Sequence, residues 1–549
     1  MYVTTSKTKI AGLFILFMML SSLTIHAQVT SYYFYVQFAD KNNSPFSLSR
    51  PSDYLTARAI ARRTAFGLVC DSTDLPVNPS YLQQIRTLGI PVHNWSKWMN
   101  GATVLLTDSS VMSHVRSLSF VKFVEYTGKL IGPVLAPKEN DKVKSAFNYG
   151  IAAGQINQLN GANLHNEGFR GKGIQIGVID AGFLNVNINP AFDSLRLKGR
   201  LLGTKDIINP TSDIYSEDTH GAMVLSTMAG NLPGQYLGTA PDASFWLIRT
   251  EYAPTEYKVE TDFWCSGIEF ADSVGVDIAT SSLGYSTFND PAMNFTYSDM
   301  NGKVSRASRA ANLASRKGII VTVAAGNEGT AAWHYISSPS DADGIMTVGA
   351  VASTGLPSDF SSYGPSSDGR VKPEVCATGT SSALIYTTGS PGYGNGTSFA
   401  TPIMAGMMAC LLQRYKSIDQ NTDVQTLLNS VFKSGSLYAN PTAQMGYGIP
   451  DFVRAEQNLK VFDSIQKIQK YNFVIAYNPS YHTLTIRFNT GVNPLNSFVR
   501  IYSMTGSLLV NRPLTESSTI LNTNMFQAGI YAVSVTEGGK TKARKVLIQ

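Results

Sequence analysis

The chain has 549 residues, 15% of them charged and 43% hydrophobic, with a formal net charge of +6. That length exceeds a single core and implies about three or four domains, and the composition excludes a disordered chain. A small net charge without a long Lys/Arg run excludes the electrostatic footprint of a nucleic-acid-binding protein.

The first stretch, "MYVTTSKTKIAGLFILFMMLSSLTIHAQ", places Lys7 and Lys9 before an apolar run at 10–23, with Ala27 at a small-residue cleavage position. The run is too short for a membrane anchor and a polar segment follows it, so 1–27 reads as a secretory signal peptide. Residues 28–145 form the next unit. Strand patterns ("YYFYVQF", "GATVLLT", "VKFVEYT") mix with helical ones ("YLTARAIARRTAFG", "PSYLQQIRTLG"), which makes a small α+β domain. It ends in the aperiodic "IGPVLAPKENDKVKS", 131–145, a linker.

Across 146–462 the pattern changes to short apolar runs, "GIQIGVID", "ASFWLIRT", "GVDIATSSLG", "GIIVTVAAGNEG" and "GIMTVGAV". Helical stretches such as "DFWCSGIEFADSVG" and "VSRASRAANLASRKG" separate them. The fold class expected is α/β, a mostly parallel sheet with helices on both faces. Ligands of such sheets bind beyond the carboxyl ends of the strands, where Asp180, Ser282 and Asn327 fall. Residues 470–549 read as seven short alternating strands, a β-sandwich. The four cysteines, Cys70, Cys265, Cys376 and Cys410, are widely spaced without a C-x-x-C pair, which argues against a metal site. Export permits disulfides; Cys410, in an apolar helical run, reads as a buried thiol. The acidic "DSTDLP" and "SPSDADG" read as solvated turns, not as calcium loops.

Five stretches carry candidate chemistry. In "GNGTSFATPIMAG", Ser398 is either a nucleophile or, with Thr397, a cap for a helix whose first turn holds Pro402. Asp180 ends a strand and can orient an imidazole, or it starts a turn. His220 stands in a helix's first turns, with Asp218 as a possible cap, and is a base or a structural histidine. Asn327 can donate to an oxyanion or form a bend. Ser282, Leu283 and Gly284 continue a strand and can pair with an extended peptide, or they form an ordinary strand-to-loop transition.

Together, in this order, these stretches resemble the subtilisin-like serine proteases. The carrying motifs are "VIDAGF", "DTHGAMV", "SSLG", "AAGNEG" and "GTSFATPIMAG", with "GTAPDASFWLIRT", "DFSSYGP", "KPEVCATG" and "GYGIPD" alongside. The resemblance implies a subtilisin-like fold and a triad of Asp180, His220 and Ser398. It also implies an oxyanion hole of Asn327 with the Ser398 N–H, and substrate contacts from Ser282, Leu283, Gly284, Ala325 and Gly326. No cofactor is implied; structural calcium is common in the family but has no assigned ligands here. Two departures stand out. Ala181 follows Asp180 where the family has Ser or Thr, and Gly-Ala follows His220 where it has Gly-Thr; each removes a hydroxyl near the site.

The flanks extend the resemblance. Residues 28–145 sit where the family carries a propeptide, an intramolecular inhibitor, and resemble that of Bacteroidetes-type secreted subtilases. The last 80 residues, with "VRIYSMTGSLL", "FQAGIYAVSV" and "KARKVLIQ", resemble the C-terminal sorting domain of the type IX secretion system. The expected partners are protein or peptide substrates, the propeptide and that secretion machinery. A binding protein on an impaired protease scaffold, or an esterase with the same triad, are the competing functions; retention of all four polar groups opposes the first and the peptide-pairing "SSLG" the second.

Overall fold

The structure, a computed structural model, describes residues 31–107, 109–130, 149–417, 423–459 and most of 473–548. The expected signal peptide (1–27) and linker (131–145) lie outside the described residues. The chain divides into two compact units, Met1–Glu456 and Gln457–Gln549. No helix among the described residues is long and apolar enough to cross a membrane.

The first unit opens with an antiparallel sheet of order β2-β3-β1-β4, built from β1 (Ser31–Phe38), β2 (Val92–Ser96), β3 (Gly101–Leu106) and β4 (Val121–Leu130). Helices α1 (Ala57–Ala65) and α2 (Pro79–Thr87) start where the sequence supplies caps. The Thr56 hydroxyl accepts from the Ala59 amide at 3.2 Å, and Asn78 accepts from the Ser80 amide at 2.9 Å with Pro79 at the first helical position. Phe34, Val36 and Phe38 on β1 close a core with Leu82 and Ile85 of α2. β2, "VHNWS", has no clean alternation, which is why its pattern does not announce a strand.

The central sheet is wholly parallel and seven-stranded, with order β11-β10-β9-β8-β5-β7-β6. Its strands are β5 (Gln175–Asp180), β6 (Leu201–Asp206), β7 (Ser244–Arg249), β8 (Ile278–Ser281), β9 (Ile320–Ala324), β10 (Met346–Val351) and β11 (Val375–Thr378). Every residue of β8 to β11 is buried, which requires cover on both faces. Helices α3 (His220–Ala229) and α6 (Thr397–Lys416) pack together on the sheet. So do α4 (Val259–Val274) and α5 (Arg306–Arg316). Helix α6 is buried continuously from Thr397 to Leu412, as its all-round apolar sequence dictates. The four cysteines are free, and Cys265, Cys376 and Cys410 are buried.

The second unit, described by itself, contains seven strands in two antiparallel sheets, one of 473–478, 483–488 and 518–522, the other of 497–503, 508–514, 529–537 and 540–548. They share one core that includes Leu484, Ile486, Val499, Ile501 and Val533.

The N-terminal sheet is joined to the central domain through α4. Tyr33 stacks edge-on against Phe263 at 5.6 Å, and Tyr35, Trp98 and Met99 enter the cluster built around Trp264 and Ile268. Beneath this apolar contact α4 presents three buried acids. Asp262 binds Arg306; Glu269 accepts from the amides of Lys97 (2.8 Å) and Trp98 (3.1 Å). Asp272 is fully buried and receives Arg62 (2.5 Å), Arg63 (3.0 Å) and Lys97 (3.1 Å). Burial alone would raise the Asp272 pKa, but Lys97, Arg62 and Arg63 hold it well below the usual carboxylate range. "DSTDLP" and "SPSDADG" are not the solvated turns their composition suggests. Asp74 is fully buried between Arg63 (2.7 Å) and Lys317 (2.9 Å), and Asp341 is buried against the Ser308 hydroxyl and the Gly302 amide. Both acids found partners far away in sequence.

Removing the Asp272 carboxylate strands three cations. Asp272→Ala is expected to destabilise the chain that retains its N-terminal unit by about 3–5 kcal/mol, measured by chemical denaturation at neutral pH. Because the folded pKa is depressed, this contribution is present above the ordinary Asp range of about 4 and fades as pH falls below it. Once residues 31–130 are absent, the same substitution should cost far less.

Candidate active site

The parallel sheet delivers its strand ends to one edge. Asp180 is the last residue of β5, Ser282 follows β8, and Asn327 lies three residues past β9. His220 opens α3 and Ser398 is the second residue of α6. The Asp218 carboxylate accepts from the His220 amide at 2.7 Å, but the cap position of that helix is Thr219, without a side-chain bond, and not Asp218. Gly221 permits the approach of α3 to β5: a Cβ there would collide with the Gly182 carbonyl and stand 2.8 Å from the Asp180 Cβ.

His220 Nδ1 donates to Asp180 Oδ1 at 2.7 Å. This leaves Nε2 as the ring's other functional atom. Asp180 is fully buried, and Oδ1 also accepts from the Ala181 amide at 2.8 Å. Its Oδ2 has no partner among the described residues, and neither Ala181 nor Ala222 offers a hydroxyl. Burial works against the imidazolium. The Asp180 charge and hydrogen bond, with the Asp218 and Glu251 charges behind them, outweigh it and push the His220 pKa up to about 9.

At the start of α6, Gly396 has φ +147°, a conformation that favours glycine. Thr397 then donates both its amide (2.9 Å) and its hydroxyl (3.0 Å) to Asn327 Oδ1. The Asn327 carbonyl is thereby fixed, and its amide nitrogen is left to donate elsewhere. Neither Thr397 nor Ser398 caps the helix; Gly396 takes the cap position without a side-chain bond. Pro402 falls in the second turn, not the first, where it lacks the N–H that would reach the Ser398 carbonyl. The Ser282 hydroxyl supplies that missing bond, donating to Ser398 O at 2.8 Å. In return the Ser398 hydroxyl donates to Ser282 O, at a long 3.4 Å. Ser398 Oγ therefore rests on Ser282, and its bond to His220 is not formed in this conformation.

These groups surround a cavity of about 370 Å³. His220, Ser398 and Asn327 line it, with Ser282, Leu283, Gly284 and Gly326. Ala325 does not: it is fully buried with its amide on Val348 O at 3.0 Å, and its neighbour Ala324 lines the cavity instead. Alternation along the end of β9 decides this, since successive residues face opposite sides. Thr397, expected only as a possible cap, instead positions Asn327, and Glu251, which the sequence reading passed over, lies two residues past β7 at the same edge that singled out Asp180. Among the described residues, Glu251, Glu256 and Glu260 form the group that could hold a metal ion.

A model of the subtilase family matches residues 171–448. One of the Bacteroidota peptidase S8 propeptide domain matches 33–145, and one of the secretion system C-terminal sorting domain matches 477–549. The last match marks the protein for type IX secretion, to the medium or the cell surface. Subtilisin NAT of Bacillus subtilis subsp. natto and subtilisin E of Bacillus subtilis (strain 168) are each 28% identical over 284 residues, 52% of this chain and 66% of theirs. Serine protease AprX of Bacillus subtilis (strain 168) is 28% identical over 329 residues, 54% of this chain and 68% of its own. The chain thus spans just under two thirds of the length of the two subtilisins.

Two outcomes are expected from this geometry. An NMR titration of His220 should show a midpoint near 9, moved down by Asp180→Asn, because the imidazolium loses the charge that stabilises it. Ser282→Ala should cost about 1–3 kcal/mol by leaving the Ser398 carbonyl without a donor, and Pro402→Ala in the same chain should restore much of it by returning a backbone N–H, both read by denaturant midpoint.

Proposed function

The chain belongs to the subtilase family, and on that premise we propose that it is a secreted serine endopeptidase whose triad is Asp180, His220 and Ser398. The observation that carries this reading is the 2.7 Å bond from His220 to a fully buried Asp180, made at a cavity that Ser398 and Asn327 also line. Ser398 Oγ leaves its long contact with Ser282 O when substrate enters, and donates to His220 Nε2; such bonds tighten only in the substrate complex. His220, in the neutral form that prevails above its raised pKa, takes the proton as Oγ attacks the peptide carbonyl. Asp180 holds the ring in the required tautomer and stabilises its cation. The Asn327 side-chain amide and the Ser398 N–H bind the oxyanion, and the N-terminal end of α6 adds favourable potential.

His220 then gives its proton to the leaving amine, and water resolves the acyl-enzyme by the reverse sequence. The strand continuation 282–284 pairs with the extended substrate, and Gly326 borders it. The chemistry as proposed uses no cofactor. Signal peptide, propeptide with linker, peptidase domain and sorting domain would occupy 1–27, 28–145, 146–462 and 470–549. The propeptide, seated on α4, would act as intramolecular inhibitor until its removal.

A fluorophosphonate should label the processed protein, and casein should be cleaved; both should vanish in Ser398→Ala. Asn327→Ala should keep labelling but lower kcat about a hundred- to a thousand-fold, the loss known for a side-chain oxyanion donor in a subtilisin. A processed wild-type protein that neither labels nor cleaves would overturn the reading in favour of a binding scaffold.

A further inference from the structure

Beside the reacting residues lies a set of acids that the hydrolytic steps do not use. Glu251 lines the same cavity as Ser398 and His220. Carboxylate oxygens of Glu251, Glu256 and Glu260 lie within 4.8 Å of one another. Glu260 is fully buried on α4, where only the backbone amides of Tyr252 and Tyr257 approach its carboxylate, and one oxygen of Glu256 has no hydrogen-bond partner among the described residues. Glu251 receives only modest support from outside the cluster, the Tyr285 hydroxyl at 3.2 Å.

No Lys or Arg among the described residues forms an ion pair with any of the three. The basic residues next to them in sequence are engaged elsewhere, Arg249 with Asp206 and Glu217 at 3.0 Å each, Lys258 with Glu125 at 2.7 Å. Burial, with the Asp180 charge behind it, raises the pKa of Glu251 to about 7, and burial with the Glu251 charge raises that of Glu256 to about 10. The rest of the cavity repeats the sign: Asp218 and Glu328 line it, and no Lys or Arg does. His220 is the cationic group among the described residues that line the cavity, and it is held by Asp180; an acid cluster that opens into such a cavity without a Lys or Arg of its own is a receptor for an external cation.

We propose that Glu251, backed by Glu256 and Glu260, is a specificity site that receives the lysine or arginine side chain of a peptide substrate near the scissile bond. The inference rests on the endopeptidase reading and deepens it by naming the substrate class. An entering ammonium or guanidinium gives the cluster the partner it lacks, through charge-assisted bonds in a partly desolvated site. A neutral residue of the same length leaves the acids unpaired, and sites built to pair a polar group discriminate strongly against analogues that lack it.

The test compares kcat/KM of the processed protein on paired fluorogenic peptides, lysine against acetyl-lysine and arginine against citrulline, with fluorophosphonate labelling of Ser398 in parallel. The expected result is a preference for the charged member of at least about tenfold, weakened by salt and collapsing toward unity in Glu251→Gln. Because the readout is a ratio, a general loss of activity in the variant does not mimic it. A wild-type ratio near one, with labelling and neutral-peptide cleavage intact, overturns the specificity site and leaves the protease reading standing. So does a ratio that survives Glu251→Gln. Stoichiometric calcium binding that Glu260→Gln abolishes, with a ratio indifferent to calcium, also overturns it and makes the cluster a metal site. Absence of labelling sinks the protease reading and this inference with it.

Discussion

All seven strands of the central sheet run the same way, and the site depends on that constraint. A parallel sheet ends every strand at one edge, where backbone and side-chain polar groups have no ladder to join. Asp180, Glu251, Ser282 and Asn327 come from four different strand ends, yet they border or support one cavity. The two helix starts that supply His220 and Ser398 reach the same edge because the chain leaves each strand there, and the helices then carry it back toward the opposite edge. Small local devices then set the register: Gly221 lets α3 close on β5, and Gly396 turns the chain so that Thr397 can hold Asn327.

Buried charge serves two opposite ends in this molecule. On α4, Asp262, Glu269 and Asp272 are neutralised or bonded by groups that include the N-terminal unit's Lys97, Arg62 and Arg63. Loss of that unit would leave Glu269 and Asp272 without these partners, while Asp262 would keep Arg306, which ties the first two acids to the presence of residues 31–130. At the start of the same helix Glu260 meets Glu251 and Glu256, and among the described residues no Lys or Arg pairs with them. One end of α4 is thus satisfied from within the chain, and at the other Glu260 stands behind Glu251, which lines the cavity.

Much of the fold was legible because its signals are local. Continuous apolar runs bounded by turn residues located β5, β7, β8, β9 and β10, and the seven C-terminal strands followed from alternation. Where the signal was not local, the reading failed. β2 lacks alternation. Asp74 and Asp341 look like turn acids until Lys317 and Ser308 arrive from hundreds or tens of residues away. Pro402 looks like a first-turn proline, but the helix begins earlier in register because Ser282, over a hundred residues distant, replaces the bond that Pro402 cannot make.

The sequence by itself determined the element types, the parallel α/β class, the three-part organisation and the chemical identities gathered at the strand ends, because periodicity, turn residues and motif spacing are properties of neighbouring residues. Tertiary structure alone decided which oxygen of Asp180 meets His220, that Ser398 Oγ rests on Ser282, that Ala324 and not Ala325 faces the cavity, and that three glutamates converge with no Lys or Arg paired to them among the described residues. These depend on distances between segments far apart in the chain, which burial and packing fix and no local pattern encodes.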